Sequence, residues 1–233
     1  MTNELSEHSA DELLRMIDDE IDRGEDFSYK ATWNLIGRWR RGGELEPLIK
    51  LLQSKESRDR SVGTWYVREL GGPVEGLTDA VIGLADDGLH VCRWTVPYFI
   101  INSGFYDETI AMKLAKLLVD HHLVVRTEVI KWAVYTVDEE FEDFSGLIES
   151  GASASTHKWH DPTLEEFWKA SEGKRALRGL EIARRLRNWE AAEDIRLDIP
   201  EEDSFVFDGL HFSRGNIKRH LERRRIEAQG RTT

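Results

Sequence analysis

Apolar residues recur at helical spacing in three phased blocks along this chain. Leu48, Leu51 and Leu52 form one i, i+3, i+4 set; Val81, Leu84 and Ala85 form a second, and Leu114, Leu117 and Leu118 a third, each displaced by 33 residues from the one before. Each set predicts an amphipathic helix. A second series follows each block: Gly63, Tyr66, Val67 and Leu70, then Val96, Phe99, Ile100 and Ser103, then Val129, Trp132, Ala133 and Thr136. These again share one helical face. The stretches between the two series, Gln53 to Asp59, Asp86 to His90 and Val119 to His122, are polar or turn-like and too short to hold another element. The repeating unit is therefore helix, turn, helix. Arg60, Arg93 and Arg126 mark the same point in each unit, six residues ahead of Tyr66, Phe99 and Trp132.

A fixed period of this length signals stacked units, each of which buries its apolar face only against its neighbours. Neither the Thr-Pro-Leu-His signature of ankyrin repeats nor the tetratricopeptide pattern occurs at any phase. The segment Leu114 to Trp132 pairs a leucine-rich first helix with Asp120, five further residues and then Arg126, which Val125 precedes. Asp87 and Arg93 repeat that spacing, while Ser54 replaces the aspartate in the first unit. Over roughly residues 45–136 the chain resembles the HEAT-repeat, armadillo-like family. The resemblance implies an all-α, right-handed α-solenoid of helical hairpins. It also implies that Arg60, Arg93, Arg126, Asp87 and Asp120 are structural, tying each inter-helix turn to its neighbour.

On this reading residues 1–149 are HEAT-like, with a divergent cap over 1–43 and repeats at about 44–72, 77–104 and 106–137. In the cap, Leu13, Met16 and Ile17 suggest a first helix. Trp33 stands 33 residues before Tyr66, and Phe27 takes the arginine's place. Terminal repeats turn one face to water and so depart from the internal pattern. Leu147 and Ile148 begin a fourth unit that Ser150, Gly151, Ser153 and Ser155 interrupt, giving a loop over 150–162. Residues 150–233 read as an irregular helical extension packed on the solenoid, because so few apolar anchors make a thin core alone. Within it, Pro162 and Thr163 with Glu165 and Glu166 mark a helix start, and Leu177, Leu180, Ala183, Leu186 and Trp189 give helical spacing. Leu197 to Gly209, with Phe205 and Phe207, looks extended, and a last helix from Ser213 passes through Ile217, Leu221 and Ile226.

Charge narrows the function classes. The 233 residues carry a formal net charge of -12, which opposes a phosphate backbone and disfavours nucleic acid as a partner. The excess gathers in residues 1–26, with ten acidic against two basic side chains, in Asp138 to Asp143 and in Glu190 to Asp203. Such fields solubilise a surface or steer a basic protein toward it. Arg214, Lys218, Arg219 and Arg223 to Arg225 make the C-terminal stretch basic instead. The longest apolar run, Val96 to Ile101, is far short of a bilayer span, and the acidic N-terminal stretch lacks a signal-peptide pattern. A cytoplasmic protein without membrane contact is expected. The single cysteine, Cys92, rules out an internal disulfide and reads as core.

Candidate chemistry lies on the helix faces turned away from the core. Trp65, Arg68, Glu69, Trp94, Tyr98, Asn102, Lys131 and Tyr135 occupy these positions on successive second helices. In the implied solenoid, second helices line the concave surface, so these residues are expected to form one strip. Its aromatic and arginine content suits interface hot spots. Pro97, inside a predicted helix, is expected to kink it. His157, His160 and Asp161, like the pair His121 and His122, would need metal ligands from elsewhere. No hydrolase, zincin, phosphate-loop or dinucleotide motif occurs. No metal, cofactor or catalytic residue is therefore assigned. The expected function is non-enzymatic binding of another protein by the concave strip, with an immunity- or antitoxin-type inhibitor of a basic partner as its specific form. A HEAT-like DNA glycosylase or other nucleic-acid enzyme, and a regulatory adaptor, are the alternatives.

Overall fold

The computed structural model describes residues 5, 7–23, 27–152 and 171–200, and every regular element among them is helical. The chain divides into two compact units, Met1–Ser103 and Gly104–Thr233. Residues 149 and 150, the expected border, lie inside a helix of the second unit. Several expectations fall outside the described residues: most of the 150–162 loop, the helix start at Pro162, the extended stretch beyond residue 200, the last helix from Ser213, and His157, His160 and Asp161.

The first unit holds three helical hairpins in series. Helix α1 (Ala10–Arg23) packs on α2 (Phe27–Arg40), and α3 (Glu46–Leu52) on α4 (Ser57–Leu70). The third hairpin joins α5 (Thr78–Ile82), prolonged by a 3-10 turn over Gly83–Asp86, to α6 (His90–Ser103). The second helices then stack in order, α2 on α4 and α4 on α6. Local signals explain the C-terminal end of α4. Gly71, at φ 65°, closes it in the left-handed conformation that glycine adopts without strain. Arg40 donates to the carbonyls of Leu70 at 3.0 Å and Glu69 at 2.5 Å, meeting acceptors that a helix end leaves open.

The second unit begins with α7 (Glu108–Leu118), capped by Asp107, whose carboxylate accepts from the Ile110 amide at 2.8 Å. Helix α8 (Leu123–Tyr135) packs back on it, and α9 (Asp138–Ala152) follows. The acidic block Asp138 to Glu140 forms the first turn of α9, where negative charge meets the positive end of the helix dipole. Phe141, Phe144, Leu147 and Ile148 make its buried face. Helix α10 (Ser171–Arg187) packs on α7, α8 and α9, and α11 (Ala192–Asp198) on α10. Arg187 anchors α10 by donating to the carbonyls of Ala133, Val134 and Thr136 at 2.8–3.2 Å, and it pairs with Asp138 at 2.5 Å.

All twelve second-helix positions read from the 33-residue register are buried, from Gly63 and Tyr66 to Trp132 and Thr136. Four expectations need correction. The first helix of the middle repeat is not one α-helix: α5 tightens into a 3-10 turn after Ile82, although Val81, Leu84 and Ala85 remain buried across the junction. Trp33 does not occupy the core as Tyr66 does. It is 40% exposed, and Trp39, wholly buried, meets Tyr66 edge to face at 5.0 Å. Leu51 is only half-buried, whereas its register mates Leu84 and Leu117 are buried. The buried stripe of α10 runs through Ala176, Gly179, Leu180, Ala183 and Leu186, leaving Leu177 half-buried and Trp189 exposed. The stripe rotates because Gly179 permits close approach: a Cβ there would stand 2.9 Å from Leu118 Cδ1.

Gly63 makes the same kind of contact between α3 and α4. An added Cβ would lie 3.0 Å from Leu52 Cδ2 and 3.2 Å from both Leu51 Cβ and the Leu52 amide nitrogen. The last atom belongs to backbone and cannot turn aside. Gly63→Ala is expected to destabilise the protein by about 1–3 kcal/mol through overpacking. Thermal denaturation followed by circular dichroism checks this, with an expected fall in Tm of roughly 2–10 °C.

Candidate binding cleft

Each arginine of the ladder closes its own hairpin turn. Arg60 Nη1 donates to the carbonyls of Ser54 at 2.9 Å and Lys55 at 3.0 Å. Arg93 reaches Asp87 at 2.7 Å and Gly88 at 3.0 Å, and Arg126 reaches Asp120 at 2.7 Å and His121 at 3.3 Å. In every case the acceptors lie six and five residues earlier. Arg60 also grips the next turn in a forked pair, with Nε 2.5 Å and Nη2 3.2 Å from the Asp87 carboxylate. Asp87 accepts the Leu89 amide as well, at 2.8 Å; Asp120 accepts the His122 amide likewise. Burial pushes the Asp87 carboxyl up, but the hydrogen bonds from Arg60 and Leu89 outweigh it and hold the group below its ordinary value. These contacts commit Nε, Nη1 and Nη2 of Arg60, and Nη1 of Arg93 and Arg126, to protein acceptors.

The outward positions form a patch in the first unit. The Arg68 guanidinium stacks over the Trp94 ring at 4.7 Å, and Trp94 lies 5.9 Å from Tyr98. The Tyr98 hydroxyl donates to the Arg68 carbonyl at 3.3 Å, and the Asn102 amide to the Tyr98 carbonyl at 2.8 Å. Arg68, Glu69, Trp94, Tyr98 and Asn102 are all half-buried. Trp65 alone of the strip is exposed, at 37%. In the second unit, Lys131 pairs with the buried Glu128 at 3.0 Å. Burial, then the Glu128 charge, raises the Tyr135 hydroxyl.

Trp65, one turn before Arg68 on α4, lines a cleft of about 500 Å³. Leu14, Ile17 and Asp18 of α1 form one wall, Tyr29, Thr32 and Trp33 of α2 a second. Leu51 of α3 and Arg58, Asp59, Val62, Trp65 and Tyr66 of α4 complete it. Three large aromatics stay open to solvent there: Tyr29 at 66%, Trp33 at 40% and Trp65 at 37%. Tyr29 and Trp33 meet edge to face at 6.1 Å, as do Trp65 and Tyr66 at 5.1 Å. Burial, and then the Asp18 charge, raises the Tyr66 hydroxyl, while a hydrogen bond with Thr32 opposes them. Asp59 accepts the Ser54 hydroxyl at 2.7 Å.

The register alone missed this cleft. Thirty-three residues before Leu51 stands Asp18, and 33 before Tyr66 stands Trp33. A carboxylate therefore occupies the place held by the half-buried Leu51 and by the buried Leu84 and Leu117 in later hairpins, and Trp33 has no earlier hairpin among the described residues to pack against. That misfit in the cap was the available signal.

Among the described residues no group of three or more His, Cys, Asp or Glu side chains could hold a metal ion. His121 and His122 stand edge to face at 5.7 Å in the α7–α8 turn. No helix among the described residues is long and apolar enough to cross a membrane. Cys92 is fully buried, and burial, with the Asp87 carboxylate beside it, pushes its thiol up to about 11. Comparison with family models, with curated proteins and with solved structures found no match.

A thiol so placed has almost no thiolate at pH 8. Iodoacetamide is expected to leave Cys92 unmodified in the native protein and to add one carbamidomethyl group after denaturation. Intact-mass spectrometry reads both states.

Proposed function

We propose that this chain is a right-handed α-solenoid of HEAT-like hairpins that binds another protein without catalysing a reaction. The single observation that carries this reading is the open aromatic cleft, with Tyr29, Trp33 and Trp65 exposed around about 500 Å³. Large aromatics held on packed helices supply contact area at little entropic cost, and tryptophan and tyrosine dominate interface hot spots. The half-buried patch of Arg68, Trp94 and Tyr98 extends the same surface from Trp65. In this reading the ladder arginines are scaffold, because each serves its own turn carbonyls, Arg60 also serves Asp87, and Arg93 and Arg126 are buried. The net charge of -12 suits a basic protein better than a nucleic acid. An inhibitor of the immunity or antitoxin type, acting in the cytoplasm, is one form such a binder takes.

The test begins with affinity capture from native lysate on the immobilised chain. The captured protein is then identified, produced separately and titrated calorimetrically. Because Trp33 and Trp65 are both partly exposed, the Trp33→Ala, Trp65→Ala double variant should keep the wild-type Tm within a few degrees. Its affinity should fall by at least about 30-fold, the loss of one strong hot spot. Unchanged affinity sinks the proposal, and so does a variant that no longer folds, since the pair would then be core. Retention of DNA with a steep salt dependence would favour the nucleic-acid reading instead.

A further inference from the structure

We propose that the cleft between α1, α2 and α4 is a receptor for an ammonium group, the side chain of a lysine presented by a basic segment of the protein partner. This rests on the binding reading above and adds the chemistry of what enters.

The first support is the character of the walls. Tyr29, Trp33 and Trp65 turn ring surface to solvent, and the face of an aromatic ring carries negative electrostatic potential. A cation within about 6 Å of a ring centroid is attracted to it, most strongly to tryptophan. The protein already uses this attraction elsewhere in the first unit, where Arg68 lies 4.7 Å over Trp94. Among the described residues no cation of the chain is seated over Trp33 or Trp65, so those rings remain available to one from outside.

The second support is charge. Asp18 of α1, Asp59 of α4 and Arg58 of α4 line the cleft, two carboxylates against one guanidinium; Asp18 and Arg58 are exposed and Asp59 is half-buried. Helix α1 adds a wider field, since Asp11, Glu12, Asp18 and Asp19 are exposed along it against Arg15. Such a field concentrates cations at the cleft mouth and repels phosphate. An apolar ligand alone would have no use for two carboxylates, and an anion would meet repulsion from both.

The third support favours ammonium over guanidinium at Asp59. A guanidinium is best held by both oxygens of one carboxylate. One oxygen of Asp59 already accepts the Ser54 hydroxyl at 2.7 Å, so a forked guanidinium would have to share that oxygen, while an ammonium can take the other as its acceptor. A compact ammonium needs no more than one, and its methylene stem would lie along Leu14, Ile17 and Val62.

The test uses the full chain and two probes of the same shape. Choline carries a quaternary ammonium, and 3,3-dimethylbutan-1-ol replaces its nitrogen by carbon. Saturation-transfer NMR in low-salt buffer should give choline an affinity at least about tenfold higher than the alcohol. Trp65→Ala should abolish choline binding. Asp18→Asn should weaken it severalfold and flatten its dependence on salt. Equal binding of the two probes, or no binding of choline, overturns the proposal. The partner titration keeps the two readings apart. Equal probe binding with Trp-dependent partner binding sinks only the ammonium assignment, whereas choline preference with partner affinity indifferent to Trp33 and Trp65 sinks the protein-binding reading.

Discussion

Everything in the first unit hangs on how Arg60 divides its guanidinium between its own hairpin and the next. Helix ends leave carbonyls without partners, and a turn of four residues has no backbone donors to spare. Arg60 meets two of these carbonyls and spends its remaining reach on Asp87, in the turn of the following hairpin. Asp87 in turn holds the Leu89 amide and so orders the start of α6. A single planar side chain thereby joins the turns of two consecutive hairpins. Arg93 and Arg126 bind their own turns through the same backbone spacing. What stays constant along the 33-residue register is the arginine's offset from its turn, with acceptors six and five residues earlier in each hairpin.

Once the turn is set, the buried face of each second helix is set with it. Tyr66 and Phe99 fall inward in the first unit, and Trp132 in the second. The residue before each aromatic is rotated by about 100° from it along a 3.6-residue helix, which leaves Trp65 exposed and Tyr98 and Lys131 half-buried. Trp65 is the most open of these because its neighbours from the cap fail to cover it. Asp18 stands where later hairpins carry a leucine, and Trp33, with no earlier hairpin against it among the described residues, lines the cleft opposite. The candidate site is thus a consequence of the cap's departure from the repeat.

How much was legible beforehand follows from where periodicity holds. Val96, Phe99 and Ile100, or Val129, Trp132 and Ala133, lie in a run of regular repeats, and their burial could be read by counting. Periodicity says nothing about interruptions, so it missed the 3-10 turn after Ile82 and the half-exposure of Leu51. In α10 the apolar pattern misled, because two alternative stripes differ by one residue. Gly179 decided between them by close contact with Leu118, a constraint invisible to hydrophobicity. The strip residues were legible one by one, but not the stacking of Arg68 on Trp94, nor the cleft, which depends on what the cap lacks.

The most direct test of the central claim is a double-mutant cycle on Arg60→Met and Asp87→Asn, with stability measured by chemical denaturation across pH. A coupled pair makes the double variant less destabilised than the sum of the two single variants at pH 7. Because the folded Asp87 titrates below its unfolded value near 3.9, that coupling should be fully present above this pH and disappear as pH falls through the depressed folded value. Additive losses at pH 7, or a coupling that survives unchanged in acid, would contradict the role assigned to Arg60.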